Sequence, residues 1–114
     1  MSKWIRITST EQLHEALEAS ASKPLLLFKH STRCPISAGA HREAEAFLHG
    51  HPREDVTYGL IYVIEDRAVS NEAAERLGVK HESPQAILVK DGQAVWHTSH
   101  SSITQAALQG ILKL

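Results

Sequence analysis

Cysteine is nearly absent from this sequence: the 114 residues contain one, Cys34. One cysteine cannot form a disulfide within the chain, so disulfide bonds cannot hold this fold together. Such scarcity is typical of proteins from a reducing compartment, where thiols stay reduced. We therefore expect a cytoplasmic protein with one free thiol.

Long apolar runs are also missing from the sequence. Residues 1–6 contain no hydrophobic stretch of the kind found in signal peptides, and the apolar runs at 25–28 and 60–64 have the length of β-strands. A membrane-spanning helix needs about 20 consecutive apolar residues. We therefore expect no membrane as a partner.

Neither sign of charge is in excess. Lys and Arg total 12 and Asp and Glu total 13, which leaves a formal net charge of −1. This balance provides no electrostatic basis for binding nucleic acid or an anionic membrane. No repeat, low-complexity tract or Pro/Gly-rich linker divides the sequence, so residues 1–114 are predicted to form a single domain.

Strand and helix patterns alternate along the chain. Continuous apolar runs at 25–29 and 56–64 are typical of strands buried on both faces of a sheet. The pattern predicts further strands at 4–7, 86–89 and 94–97 and helices at about 9–20, 35–48, 71–77 and 103–114. The order β-α-β-α-β-α-β-β-α predicts an α/β fold, a mixed β-sheet with helices on both faces.

Local signals mark several of these boundaries. Ser9 with Gln12 predicts a capping box, Ser70 a cap for the third helix, and Gly78 the end of that helix. Asp91 followed by glycine predicts a tight hairpin turn. The buried side of the second helix is expected to contain Ile36, Ala40, Ala44, Phe47 and Leu48.

Cys34 follows a buried strand and a short loop, and it directly precedes the helix that Pro35 begins. Proline is favoured at the first helical position, which places Cys34 at or next to the N-cap. There the free backbone N–H groups and the positive end of the helix dipole face the sulfur. Both favour the thiolate, the nucleophile in disulfide exchange, so the position predicts a reactive cysteine rather than an inert buried one.

Two further positions bear on this chemistry. Ser37 stands where a dithiol oxidoreductase has its resolving cysteine. A hydroxyl can donate a hydrogen bond to a thiolate but cannot form a disulfide, so exchange would proceed through a mixed disulfide that an external thiol releases. Ser83-Pro84, just before a predicted strand, is a candidate cis peptide bond.

Residues 28–37, FKHSTRCPIS, resemble the signature of the YtxJ-like family, the monothiol bacilliredoxins of thioredoxin fold. The similarity extends over essentially the whole chain and includes Ser83-Pro84. It implies a thioredoxin-like fold in which Cys34 and Ser37 are catalytic. The residues that it implies for substrate binding are Thr32, Arg33, Pro35, Ile36, Ser83 and Pro84.

The same resemblance implies a substrate. Cys34 would remove bacillithiol, a low-molecular-weight thiol, from S-bacillithiolated client proteins, and a second thiol, bacillithiol itself, would then restore Cys34. Bacillithiol is thus expected as a co-substrate, and no bound cofactor or metal is expected. We expect the protein to act as a monomer.

Other classes of thiol protein remain open as alternatives. A monothiol glutaredoxin has a similar Cys-x-x-Ser and can use glutathione or bind an iron–sulfur cluster, although Pro35-Ile36 differs from the Gly-Phe pair typical of cluster-binding members. A peroxiredoxin would fit Ser31 but not Leu27, which replaces its usual upstream proline. A non-catalytic module that senses oxidation through the cysteine is the remaining alternative.

Eight histidines invite a test for metal binding. His49-x-His51 and His97-x-x-His100 do not match a closed zinc pattern, and no second cysteine is present. No metal site is therefore predicted. His30 is different because it lies close to Cys34 in sequence: it could tune the thiolate, or its side chain could point into the core beside Phe28.

Overall fold

The computed structural model describes residues 4–50 and 55–112. Its strands are β1 (Trp4–Arg6), β2 (Leu25–His30), β3 (Thr57–Tyr62), β4 (Gln85–Lys90) and β5 (Gln93–Ser99). Its helices are α1 (Thr10–Ala19), α2 (Pro35–Gly50), α3 (Arg67–Leu77) and α4 (Gln105–Leu112), with a short 3₁₀ helix at His100–Ser102. The end of the predicted last helix, at residues 113 and 114, lies outside the described residues.

The strands form one sheet in the order β1-β3-β2-β4-β5. Strands β1 and β2 pair parallel with β3, whereas β4 pairs antiparallel with β2 and with β5. The predicted mixed sheet of an α/β fold is therefore confirmed. None of the helices in the described part of the chain is long and apolar enough to cross a membrane.

Strand β2 is central, and all of its six residues are buried. Successive side chains of a strand point to opposite faces. Leu26 and Phe28 belong to a core cluster that includes residues of α2 and α4, while Leu25 and Leu27 belong to a second cluster that includes residues of α1 and α3. Helices therefore cover both faces of the sheet, as predicted.

Three predicted boundary features are confirmed. Ser9 caps α1 by accepting a hydrogen bond from the Gln12 backbone N–H at 3.1 Å, although the Gln12 side chain accepts from the N–H of Thr8 rather than from that of Ser9. Gly78 ends α3 with a φ of 65°. Asp91 and Gly92 both have positive φ, 54° and 73°, as the tight turn between β4 and β5 requires.

Two local predictions are wrong, and packing explains both. Helix α3 begins at Arg67, so Ser70 lies inside the helix rather than capping it. The helix starts earlier because Val69 and Ala73, four residues apart, both pack into the core. Ile36 is 57% exposed rather than buried, because Ser37 starts the buried face of α2 and Ile36 lies one residue off that face.

Lys29 is a fully buried cation at the end of β2. Its ammonium group donates a hydrogen bond to the Ser70 carbonyl oxygen at 3.0 Å and lies 3.2 Å from His81 Nδ1, which can accept a second bond. Burial disfavours the charged form and lowers the pKa of Lys29 from 10.5 to about 8.

This pKa predicts a pH-dependent stability. Between about pH 8 and 10.5 the unfolded chain binds more protons at Lys29 than the folded chain does, so this group makes stability rise with pH in that window. We expect Lys29→Met to have a higher free energy of unfolding than wild type below pH 8, because the variant buries no charge. This difference should shrink as the pH approaches 10.5.

Urea unfolding measured across the window checks this expectation. Lys90→Met is the matched control, because it makes the same substitution in the same sheet at an exposed position. A constant difference between Lys29→Met and wild type at all these pH values would contradict the assignment.

Candidate active site

Cys34 occupies the N-cap of α2. Its carbonyl oxygen accepts the Ala38 backbone N–H at 2.9 Å, the first bond of the helix, and Pro35 takes the first helical position. The side chain is half-buried and the thiol is free. The predicted N-cap position of Cys34, next to the unpaired N–H groups of the first turn, is therefore confirmed.

The loop from Ser31 to Cys34 is short and internally bonded. The Ser31 carbonyl oxygen accepts the Cys34 N–H at 3.3 Å, and the Ser31 hydroxyl accepts a long hydrogen bond from the Arg33 N–H at 3.4 Å. Ser31 itself is buried. These bonds hold the chain in the turn that brings Cys34 to the start of α2.

Ser37 is completely buried, and its hydroxyl connects the first turn of α2 to this loop. The oxygen accepts the Ser31 backbone N–H at 2.9 Å and lies 2.8 Å from His30 Nδ1. Ser37 therefore satisfies a buried backbone N–H, a structural role that is compatible with the catalytic role predicted for it. Its catalytic role stays a prediction.

His30 lies in the core beside Phe28, which is one of the two alternatives left open for it, and it also contacts Ser37. A role in tuning the Cys34 thiolate stays a prediction. Its ring stacks on Phe28 and His41, with ring centroids 5.8 and 4.6 Å apart, and meets the edge of Tyr62 at 5.9 Å. Burial, and the repulsion of a charge by His41, lower the pKa of His30. His30 is accordingly neutral at neutral pH.

Ser83-Pro84 leads into β4 at the end of the sheet where the cysteine loop leaves β2. The peptide bond between the two residues is cis, as predicted. Lys29 of β2 pairs with Gln85 of β4, and these strands are antiparallel, so the chain entering β4 and the chain leaving β2 are neighbours. The Pro84 carbonyl oxygen accepts the His100 N–H at 3.0 Å, which ties this segment to the end of β5.

The residues predicted to bind substrate differ in their exposure. Those that flank the cysteine are all exposed: Thr32, Arg33, Pro35 and Ile36. Pro84 is buried and Ser83 is partly buried. The Ser83 hydroxyl has no hydrogen-bond partner among the described residues. The fold therefore brings both predicted segments to the same end of the neighbouring strands β2 and β4, and their contacts with a substrate stay predictions.

An aromatic and histidine cluster beside the site was not predicted. Trp4 packs against Phe28 and stacks on His41, and its indole N–H donates to Glu45 at 2.9 Å. His41 belongs to α2 and Trp4 to β1, so the cluster joins elements far apart in the sequence. The alternation of side chains along β2 places Phe28 and His30 on one face, and this pattern could have predicted that the two rings lie together.

Metal ligation finds no support in the described part of the chain. No group of three His, Cys, Asp or Glu residues there could hold a metal ion. His51, half of one histidine pair considered above, lies outside the described residues.

Comparisons with known proteins agree on family and fold. The family model for the monothiol bacilliredoxin BrxC matches residues 5–108. A structure described as a candidate oxidoreductase with a thioredoxin fold is 33% identical, with a TM-score of 0.82, and the match covers 94% of this chain and 91% of that one.

Thioredoxins share the fold at lower identity. Thioredoxin from Malassezia sympodialis is 16% identical with a TM-score of 0.77, and the match covers 98% of this chain and 89% of that chain. Thioredoxin from Fasciola hepatica is 14% identical with a TM-score of 0.73, and the match covers 95% of each chain. At these identities the likeness concerns the fold alone.

Cys34 lies at the N-cap of α2, and the buried Ser37 follows three residues later. These positions predict what a second thiol at position 37 would do. We expect Ser37→Cys to form an internal disulfide with Cys34 on oxidation, because side chains at the N-cap and at the third helical position can meet. The reduced variant should lose about 1–3 kcal/mol of stability, since sulfur is a weak acceptor for the buried Ser31 N–H.

Intact mass measures the loss of two hydrogens when the disulfide forms, and thermal or urea unfolding measures the change in stability. The double variant Cys34→Ala, Ser37→Cys is the control, because it has the second thiol without a partner. A Ser37→Cys protein that keeps two free thiols under oxidising conditions would contradict this placement of the two side chains.

Proposed function

The chain belongs to the monothiol bacilliredoxin family, and on that premise we propose that Cys34 removes bacillithiol from client proteins that carry it in a disulfide. The observation that carries this proposal is the half-exposed Cys34 at the N-cap of α2, in a chain with no second cysteine. A thiolate favoured by the helix N-terminus can attack a disulfide, and no internal thiol can release the product.

The proposed reaction has two exchanges. In the first, the Cys34 thiolate attacks the bacillithiol sulfur of the client disulfide, so the bond to the client sulfur breaks and the client leaves as a thiolate. In the second, a free bacillithiol thiolate attacks the bacillithiol sulfur now bound to Cys34. The Cys34 thiolate leaves, and the product is the disulfide of two bacillithiol molecules. Each attacking thiol gives up one proton to solvent, and each leaving thiolate can take one back.

Burial of Ser37 supports the single-thiol scheme. The hydroxyl lies where a second thiol would have to sit, but it cannot form a sulfur–sulfur bond, so the mixed disulfide on Cys34 persists until an external thiol arrives. Such a scheme needs free low-molecular-weight thiol in excess. We therefore propose that the protein works in the cytoplasm, where thiols are kept reduced.

The exposed residues around Cys34 support a role in client binding. Ile36 is 57% exposed and lies two residues after the thiol. An exposed apolar side chain at this place can cover part of a client polypeptide during exchange. We extend the proposal to this residue: Ile36 contributes to the binding of clients rather than to the chemical step.

Transfer onto Cys34 is the central test. Reduced protein is mixed with a bacillithiolated client, in parallel with a glutathionylated client, and its intact mass is measured over time. We expect an adduct of one bacillithiol, little glutathione adduct, and release of the client thiol. The Cys34→Ala variant should show no adduct, because the chain has no other thiol. Its circular dichroism spectrum should match that of wild type, which checks that the fold is intact.

Each other outcome has a distinct meaning. An adduct from the glutathionylated client alone would refute bacillithiol as the substrate and favour a glutaredoxin-like activity. No adduct from either client would refute thiol transfer. Client release that persists in Cys34→Ala would refute Cys34 as the nucleophile.

A second variant separates client binding from chemistry. We expect Ile36→Ser to lower kcat/KM for a bacillithiolated protein roughly fivefold to tenfold, through loss of about 1–1.4 kcal/mol of apolar contact. Transfer from the small disulfide of bacillithiol should be nearly unchanged. Ile5→Ser is the matched control, because Ile5 is equally exposed at 57% but belongs to β1. Equal losses with both substrates would contradict a role of Ile36 in client binding.

A further inference from the structure

The hydroxyl of Ser37 has one hydrogen, and its described contacts limit where that hydrogen can point. The Ser31 backbone N–H, at 2.9 Å, can only donate, so it occupies a lone pair of the oxygen. His30 Nδ1, at 2.8 Å, is the contact that can accept the hydrogen. Ser37 is fully buried, so bulk water does not compete for it.

His30 can accept because its ring is neutral. Burial and the nearby His41 lower the pKa of His30, and Glu65 opposes them more weakly. The groups that face the ring are His41 of α2, Tyr62 of β3 and Glu65 in the turn after β3. A neutral imidazole with its hydrogen on Nε2 leaves Nδ1 as an acceptor, and the hydrogen bond to Ser37 selects that tautomer.

Cys34 and Ser37 are the N-cap and third residues of α2. These two positions lie close together, since in a capping box the side chain of each reaches the backbone N–H of the other. The Ser37 hydroxyl is therefore a side-chain donor in the first turn of the helix that Cys34 caps, and its hydrogen is held by His30 instead. A hydrogen bond from a hydroxyl to a charged acceptor stabilises that charge. The orientation of one hydrogen thus changes how strongly the thiolate is stabilised.

We infer that His30 is a positioning residue for Cys34: it accepts the Ser37 hydrogen at Nδ1, withholds it from the sulfur, and so sets how readily Cys34 forms a thiolate. The inference rests on the thiol-exchange role proposed for Cys34. It adds a regulating residue that does not touch the substrate, because His30 is only 6% exposed. Protonation of His30 reverses the bond, since Nδ1–H then donates to Ser37 and releases the Ser37 hydrogen toward Cys34.

Ultraviolet absorbance of the thiolate tests the inference directly, because Cys34 is the only cysteine and gives the whole signal. We expect His30→Phe, which keeps an aromatic ring but removes the acceptor, to lower the pH midpoint of Cys34 ionisation by about one unit. His30→Asn, whose side-chain oxygen can replace Nδ1 as acceptor, should keep the wild-type midpoint.

The effect of His30→Phe is then measured in a Ser37→Ala variant, which lacks the hydroxyl. Without the hydroxyl, the midpoint should stay close to that of wild type, and adding His30→Phe should shift it no further. A shift caused by His30→Phe that persists without the Ser37 hydroxyl would overturn the inference, and so would the lack of a shift in His30→Phe. A structural role alone would change the unfolding temperature, which is measured in parallel, without this dependence on Ser37.

The titration tests the role of His30 and the transfer assay tests the proposed function, so either can fail without the other. A failed transfer assay with the expected titrations would refute the proposed function and leave the His30–Ser37–Cys34 coupling in place. Normal transfer with no coupling in the titrations would refute the role of His30 and leave the proposed function intact.

Discussion

Burial of β2 on both faces is the constraint on which the site depends. The strand lies between β3 and β4, and all of its residues are buried. A shift of one residue in register would send every one of its side chains to the opposite core, so the position of its C-terminal end is closely determined. That end leads into the bonded loop at Ser31, which places Cys34 at the start of α2.

Polar residues at the end of β2 link this rigid strand to both segments of the site. On one face, His30 contacts Ser37 in the helix that Cys34 begins. On the other face, Lys29 contacts Ser70 of α3 and His81, which leads toward the cis Ser83-Pro84 bond. Buried polar groups must find partners, and here the partners belong to α2, to α3 and to the segment that precedes β4.

Ser37 shows how one residue can serve the fold and the chemistry together. Its oxygen accepts the buried N–H of Ser31, a bond that a thiol at this position would make poorly. The same oxygen faces His30, which determines where the hydroxyl hydrogen points. The absence of a second thiol is therefore tied to the stability of the loop as well as to the single-thiol reaction.

Local patterns in the sequence determined the order of strands and helices, the N-cap position of Cys34, and the turns at Gly78 and at Asp91, because each depends on neighbouring residues. The family resemblance carried by residues 28–37 was confirmed by the family model, which matches residues 5–108. Tertiary structure alone decided that Ser70 lies inside α3, that Ile36 faces solvent, and that His30 bonds to Ser37. These outcomes depend on which helix face packs against the sheet and on contacts between separate elements, and spacing along the chain does not encode them.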